Sequence, residues 1–130
     1  MSQKQIISTQ YAPGAVGPYS QAVRIGDLVY TAGQIALVPQ TGKLVEGGIE
    51  EQTEQVMKNL TAILEAAGAS LANVVKTTIF LADMNDFAKV NRVYGSFFSD
   101  APPARSTIQV SALPLGAKIE IEAIAALTQA

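Results

Sequence analysis

From Ile49 onward, the apolar and weakly polar positions recur every third or fourth residue. Ile49, Thr53, Val56, Leu60, Ile63 and Ala67 form one stripe, which predicts an amphipathic helix. Glu50, Glu51 and Glu54 sit in its first two turns, where the helix dipole favours negative charge, and Gly68 is placed to end it. Upstream the period is two. Residues 4–9 read as a strand, and 21–25 and 28–35 read as a hairpin around Gly26-Asp27. Residues 12–21 between them are a loop, because two prolines and two glycines within seven residues exclude helix and ladder alike. A turn is expected at 39–42. Residues 73–82 form a strand with Val74, Lys76, Thr78 and Phe80 on one face and Val75, Thr77, Ile79 and Leu81 on the other. Asp83 or Asn85 caps a second helix whose stripe is Phe87, Val90, Tyr94 and Phe97. Strands at 104–110 and 118–127 follow, and the "LPLG" turn between them predicts that they pair antiparallel. The order β-ββ-α-β-α-ββ predicts an α+β fold, a mixed sheet with both helices on one face, over a single domain spanning 1–130.

Composition changes this picture in one respect. Hydrophobic residues make up 48% and charged residues 15%, against about 25% charged in an average soluble chain. So thin a coat of charge predicts that part of the exterior is covered by another subunit, making a homo-oligomer. The net charge is −2 and the lysines are scattered singly, which disfavours a nucleic-acid partner. No stretch reaches the roughly 18 apolar residues of a membrane span, and the N-terminal residues lack a signal-peptide core. The expected location is cytoplasmic, with no membrane partner. Asn59-Leu60-Thr61 fits a glycosylation pattern but falls inside the predicted helix.

The chain contains no cysteine and no histidine. That removes disulfides, thiolate nucleophiles, imidazole bases and the usual zinc sites. Chemistry must run on carboxylates, arginine, lysine, tyrosine, hydroxyls and backbone groups. Lys118, Glu120 and Glu122 alternate with Ile119 and Ile121, next to the apolar run "AIAAL". That polar face is either simply solvated or presents a desolvated carboxylate suited to general-base work. Arg105, one of three arginines, follows Pro102 and Pro103. It is either an ion-paired surface residue or a braced fork for a ligand carboxylate. The predicted pairing puts it far from Glu120 within one chain, so a site using both draws on two subunits. Tyr19 stands in the stiff 12–21 loop, either plugging the domain edge or reaching a ligand. Asn91 interrupts the second helical stripe, as a surface residue or a ligand contact. "GAVG" at 14–17 lacks the lysine and the following helix of a phosphate loop.

Five segments together, "GPYSQA" (17–22), "VYTAGQI" (29–35), "VKTTIFLADMNDFAKVN" (75–91), "PPARSTIQV" (102–110) and "IEIEAIA" (119–125), resemble the YjgF/RidA family of enamine/imine deaminases. The resemblance implies a chorismate-mutase-like fold assembled as a homotrimer, with sites between subunits. It implies hydrolysis of 2-aminoacrylate, 2-iminopropanoate and 2-iminobutanoate to 2-oxo acids and ammonia, with no cofactor or metal, because an iminium is already a strong electrophile. By the same resemblance Arg105 binds the substrate carboxylate, Glu120 activates water, and Tyr19 and Asn91 line the cleft. The Thr107 carbonyl holds the water and the Gly33 amide forms a wall. Ala32 stands where many members have serine, which leaves substrate range and rate open, and Thr107 stands where many have cysteine, a replacement that its backbone role tolerates. A non-catalytic module for small carboxylates is the alternative, and a ribonuclease a more distant one.

Overall fold

The computed structural model describes residues 3–98 and 100–127, so the ends of the predicted 1–130 domain and Ser99 lie outside the described residues. The strands are β1 (Gln5–Ile7), β2 (Ala22–Ile25), β3 (Leu28–Thr31), β4 (Val74–Leu81), β5 (Ala104–Gln109) and β6 (Ile119–Ala126). The helices are α1 (Ile49–Ala66) and α2 (Phe87–Gly95). The predicted elements are therefore present in the predicted order, an α+β arrangement on one mixed sheet.

Strand pairing departs from the sequence-based expectation. The sheet runs β1-β2-β3-β6-β4-β5, so β6 is inserted between β3 and β4, antiparallel to both. β5 pairs only with β4, in parallel, and does not form the expected hairpin with β6. The reason is the α2 crossover, which returns the chain parallel to β4. Burial explains the rest. Ile119, Ile121, Ala123 and Ala125 of β6 are at most 3% exposed and belong mid-sheet, whereas β5 is largely exposed and suits an edge.

Both helices cover one sheet face. Val56, Met57, Leu60, Ile63 and Leu64 of α1 pack over Val29, Ile79, Leu81, Ile119 and Ile121, all at most 1% exposed. The α1 start is fixed by the Gly48 N–H, which donates to Glu51 Oε1 at 2.8 Å, and its end by Gly68 at φ +83°. A register shift between Val74 and Lys76 turns Val74 into the core, away from the Lys76 face to which strict alternation assigned it. The other sheet face carries no helix. Ile6, Ile25, Leu28, Tyr30 and Ile108 lie on it, each between 38% and 58% exposed.

Candidate active site

A bulge builds the floor of the main cleft. Past Thr31 the chain leaves the ladder. The Ala32 N–H donates to the Gln21 carbonyl at 2.8 Å, and pairing resumes at Gln34, which exchanges bonds of 2.8 and 3.1 Å with Ile121. Between these points β3 carries one residue more than β6. Gly33 sits in the gap with the Glu120 carboxyl packed against it. A Cβ at position 33 would overlap Glu120 Oε2 and approach Cδ to 2.8 Å, so glycine is what lets the carboxyl lie there. The cleft above measures about 540 Å³ and also includes Tyr19, Val16, Ala32, Ile35 and Leu115.

Each wall is hung from a buried carboxamide. Gln21 Nε2 donates to the carbonyls of Thr9 (3.0 Å), Ala12 (3.3 Å) and Pro13 (2.8 Å), and its Oε1 accepts the Thr9 N–H at 2.7 Å. That holds the loop bearing Tyr19. Asn59 Nδ2 donates to the carbonyls of Ile35 (3.2 Å) and Leu37 (2.9 Å), and Gln52 Oε1 accepts the Lys118 N–H at 2.9 Å. These amides are at most 5% exposed, and Asn59 is spent on packing rather than presented for glycosylation. Sequence reasoning missed all three as site residues. The signal was an amide on the apolar face of a helix or strand, where an unpaired polar group is costly.

Glu120 is half-buried, and strand alternation from the buried Ile121 puts it with Glu122 on the helix-free face. Its pKa is raised, first by burial and then by the negative charge of Glu122. Tyr19 lines the same cleft, and its hydroxyl accepts the Val16 N–H at 3.3 Å. Glu122 itself is exposed.

Arg105 lies elsewhere. It is in register with Thr77 on the helix-covered face, and its guanidinium stands over the rings of Tyr94 and Phe87 at 5.1 and 5.4 Å. Thr77 Oγ1 and the Tyr94 hydroxyl share a 2.7 Å hydrogen bond that steadies this shelf, while burial pushes the Tyr94 phenol up. Among the described residues no carboxylate forms an ion pair with Arg105; the pairs are Lys58–Glu54 and Arg92–Glu50. Asn91 and Thr107 share these faces of α2 and β5. Asn91 Oδ1 and Thr107 Oγ1 are buried without hydrogen-bond partners. Phe87 and Tyr94, read from the sequence as part of an apolar stripe, both lie under the guanidinium, and Tyr94 is buried in the core as well.

The candidate residues thus fall into two groups on opposite faces of the sheet. Glu120, Gly33 and Tyr19 make one; Arg105, Asn91 and Thr107 make the other. The family model described as Endoribonuclease L-PSP matches residues 9–127. The chain belongs to the YjgF/RidA family. Within the family it is 55% identical to the chloroplastic Reactive Intermediate Deaminase A of Arabidopsis thaliana, covering 96% of this chain and 67% of that protein. It is 53% identical to the mouse 2-iminobutanoate/2-iminopropanoate deaminase over 94% of this chain and 90% of that one. Among solved structures of the family, RidA from the Antarctic bacterium Psychrobacter superposes with a TM-score of 0.91 at 49% identity, covering 94% of this chain and 98% of that one. Escherichia coli TdcF with bound serine gives 0.92 at 46%, covering 95% and 99%.

Proposed function

We propose that this protein hydrolyses 2-imino acids, such as 2-iminopropanoate and 2-iminobutanoate formed from enamines, to 2-oxo acids and ammonia. The observation that carries this reading is the Glu120 carboxyl, packed on Gly33 in a largely apolar cleft with its pKa raised by burial. A carboxylate so placed is a stronger base than one in water. The names of the Arabidopsis and mouse relatives agree with the reading.

In this account the two half-sites meet between subunits of a chorismate-mutase-like homotrimer, through the exposed apolar sheet face. Arg105 of the partner subunit binds the substrate carboxylate by paired hydrogen bonds and fixes the imine carbon over Glu120. Glu120 takes a proton from water as its oxygen bonds to C2. Glu120 passes that proton to nitrogen, the C–N bond breaks as ammonia leaves, and the C2 hydroxyl gives its proton to the Glu120 carboxylate, which releases it to solvent, to become the oxo group. Tyr19 and Asn91 shape the cleft, the Thr107 carbonyl positions the water, and the Gly33 amide faces the ligand. An iminium is already electrophilic, so the scheme assigns no cofactor or metal. Nor does it assign a nucleic-acid substrate, for the net charge is −2. We place the reaction in the cytoplasm; among the described residues no helix is long and apolar enough to cross a membrane.

The test generates 2-aminoacrylate in situ with a serine dehydratase and follows loss of the imine. Acceleration above the spontaneous rate is expected, and no acceleration contradicts the reading. The second reading is a module that binds small carboxylates without turnover, favoured by the serine bound to TdcF. Saturable 2-oxo acid binding in a protein with no imine turnover selects it.

A further inference from the structure

We infer that Leu115 is a specificity-determining residue, forming with Val16 a subsite for the side chain of the substrate and favouring 2-imino acids with longer apolar side chains. This rests on the deaminase reading of the same cleft. Leu115 has φ +58° and ψ 23°, and among the described residues it is the one non-glycine with positive φ. Glycine takes up this conformation freely, whereas a bulky side chain occupies it at a cost. Burial within the chain does not offset that cost, because Leu115 is 72% exposed. A leucine that is both strained and uncovered is explained by what it touches when the cleft is filled.

The surroundings identify that occupant. Leu115 is held between Pro114 and Gly116, and both Leu115 and Pro114 line the cleft whose floor is Glu120. Val16, 89% exposed, lines the same cleft, its backbone N–H fastened to the Tyr19 hydroxyl. Ala32 adds only a methyl group to the wall. Among the described residues of this chain no lysine or arginine lines the cleft and Glu120 is the one charged residue, while Arg105 of the partner subunit is occupied by the substrate's own carboxylate. An acidic side chain would meet repulsion there, a polar one would find few side-chain partners, and an apolar one would cover Leu115 and Val16. A cleft of about 540 Å³ also exceeds what a methyl side chain fills.

The experiment compares wild type with Leu115→Gly and Leu115→Lys. Glycine relieves the positive φ, so this variant is expected to fold at least as well as wild type. Imines are made in situ by an L-amino acid oxidase with catalase from alanine, 2-aminobutyrate, norleucine and glutamate. Binding of the matching 2-oxo acids is measured in parallel by calorimetry. In the wild type, kcat/KM is expected to rise from the alanine-derived to the norleucine-derived imine. Leu115→Gly lowers the ratio of these two values by roughly tenfold, the scale of a lost apolar contact, and Leu115→Lys raises relative use of the glutamate-derived imine. A flat wild-type series overturns the inference, as does a ratio unchanged in Leu115→Gly. So does an equal loss on every imine accompanied by a changed sedimentation coefficient, which would make Leu115 an interface residue. If the wild type turns over no imine, the deaminase reading fails by itself. The 2-oxo acid series then decides: affinity rising with chain length in wild type and levelled in Leu115→Gly supports the subsite, and affinity independent of length overturns it.

Discussion

At the scale of single residues, the contact between Glu120 and Gly33 carries most of the consequence. Gly33→Ala forces a methyl group into the carboxyl, so kcat is expected to fall by about tenfold or more while 2-oxo acid binding changes less. Steady-state kinetics beside calorimetry check this. Glu120→Gln keeps the ligand and lowers kcat by about 10²–10⁴ fold, the usual weight of a general base. The raised Glu120 pKa also has a sign. Burial, and after it the Glu122 charge, disfavours the carboxylate, so the acidic limb of kcat/KM is expected above the ordinary carboxyl value of 4.5. Glu122→Gln removes the like charge and moves that limb to lower pH. The same shift makes the folded state bind its proton more tightly than the unfolded state, so this group's contribution falls as pH rises past the unfolded value. Glu120→Gln should therefore gain melting temperature relative to wild type at pH 7 and little at pH 4. Alternation alone placed Glu120 beside Glu122 on one face. Gly33 was legible only through the resemblance, because nothing in the period of "LVYTAGQI" shows that the strand breaks at Thr31 to open a bulge.

At the scale of elements, the sequence was legible where a pattern is local. The α1 stripe and the Gly68 stop lie where the periodicity put them, but Asp83, which accepts the Asn85 N–H at 2.9 Å, caps the short 3-10 turn Met84–Asp86 ahead of α2, whose own N-cap is Asp86 without a side-chain bond. Pairing is not local. The "LPLG" segment reads as a hairpin turn, yet residues 110–118 carry the chain across β4 into a central slot. The exposed burial pattern of β5 and the buried alternation of β6 decide the outcome, and both depend on which neighbours are present. The carboxamides were missed for a similar reason, since each bonds the backbone of a segment outside its own element, 8 to 66 residues away. Gln21→Met preserves volume but leaves three carbonyls and one N–H unpaired. A loss of about 1–3 kcal/mol is expected in urea unfolding. Hydrogen exchange in 9–19 should rise more than in α1. Uniform acceleration over the whole chain would assign Gln21 to global stability rather than to the cleft wall.

At the scale of the whole molecule, the opposed half-sites set the account's central claim. Arg105, with Asn91 Oδ1 and Thr107 Oγ1 lacking partners nearby, lies on the helix-covered face at a sheet edge, while Glu120 lies on the open face. The low charge content predicts a partner surface, and the apolar open face is the one that the proposed trimer would cover. Composition could not say which residues the partner would complete. The most direct measurement combines two inactive variants, Arg105→Ala and Glu120→Gln, unfolded and refolded together at equal concentration. With sites drawn from two copies, random assembly restores about a quarter of wild-type imine hydrolysis, because some interfaces pair an intact arginine with an intact glutamate. Activity in the mixture no higher than the average of the two variants refolded separately would contradict the claim.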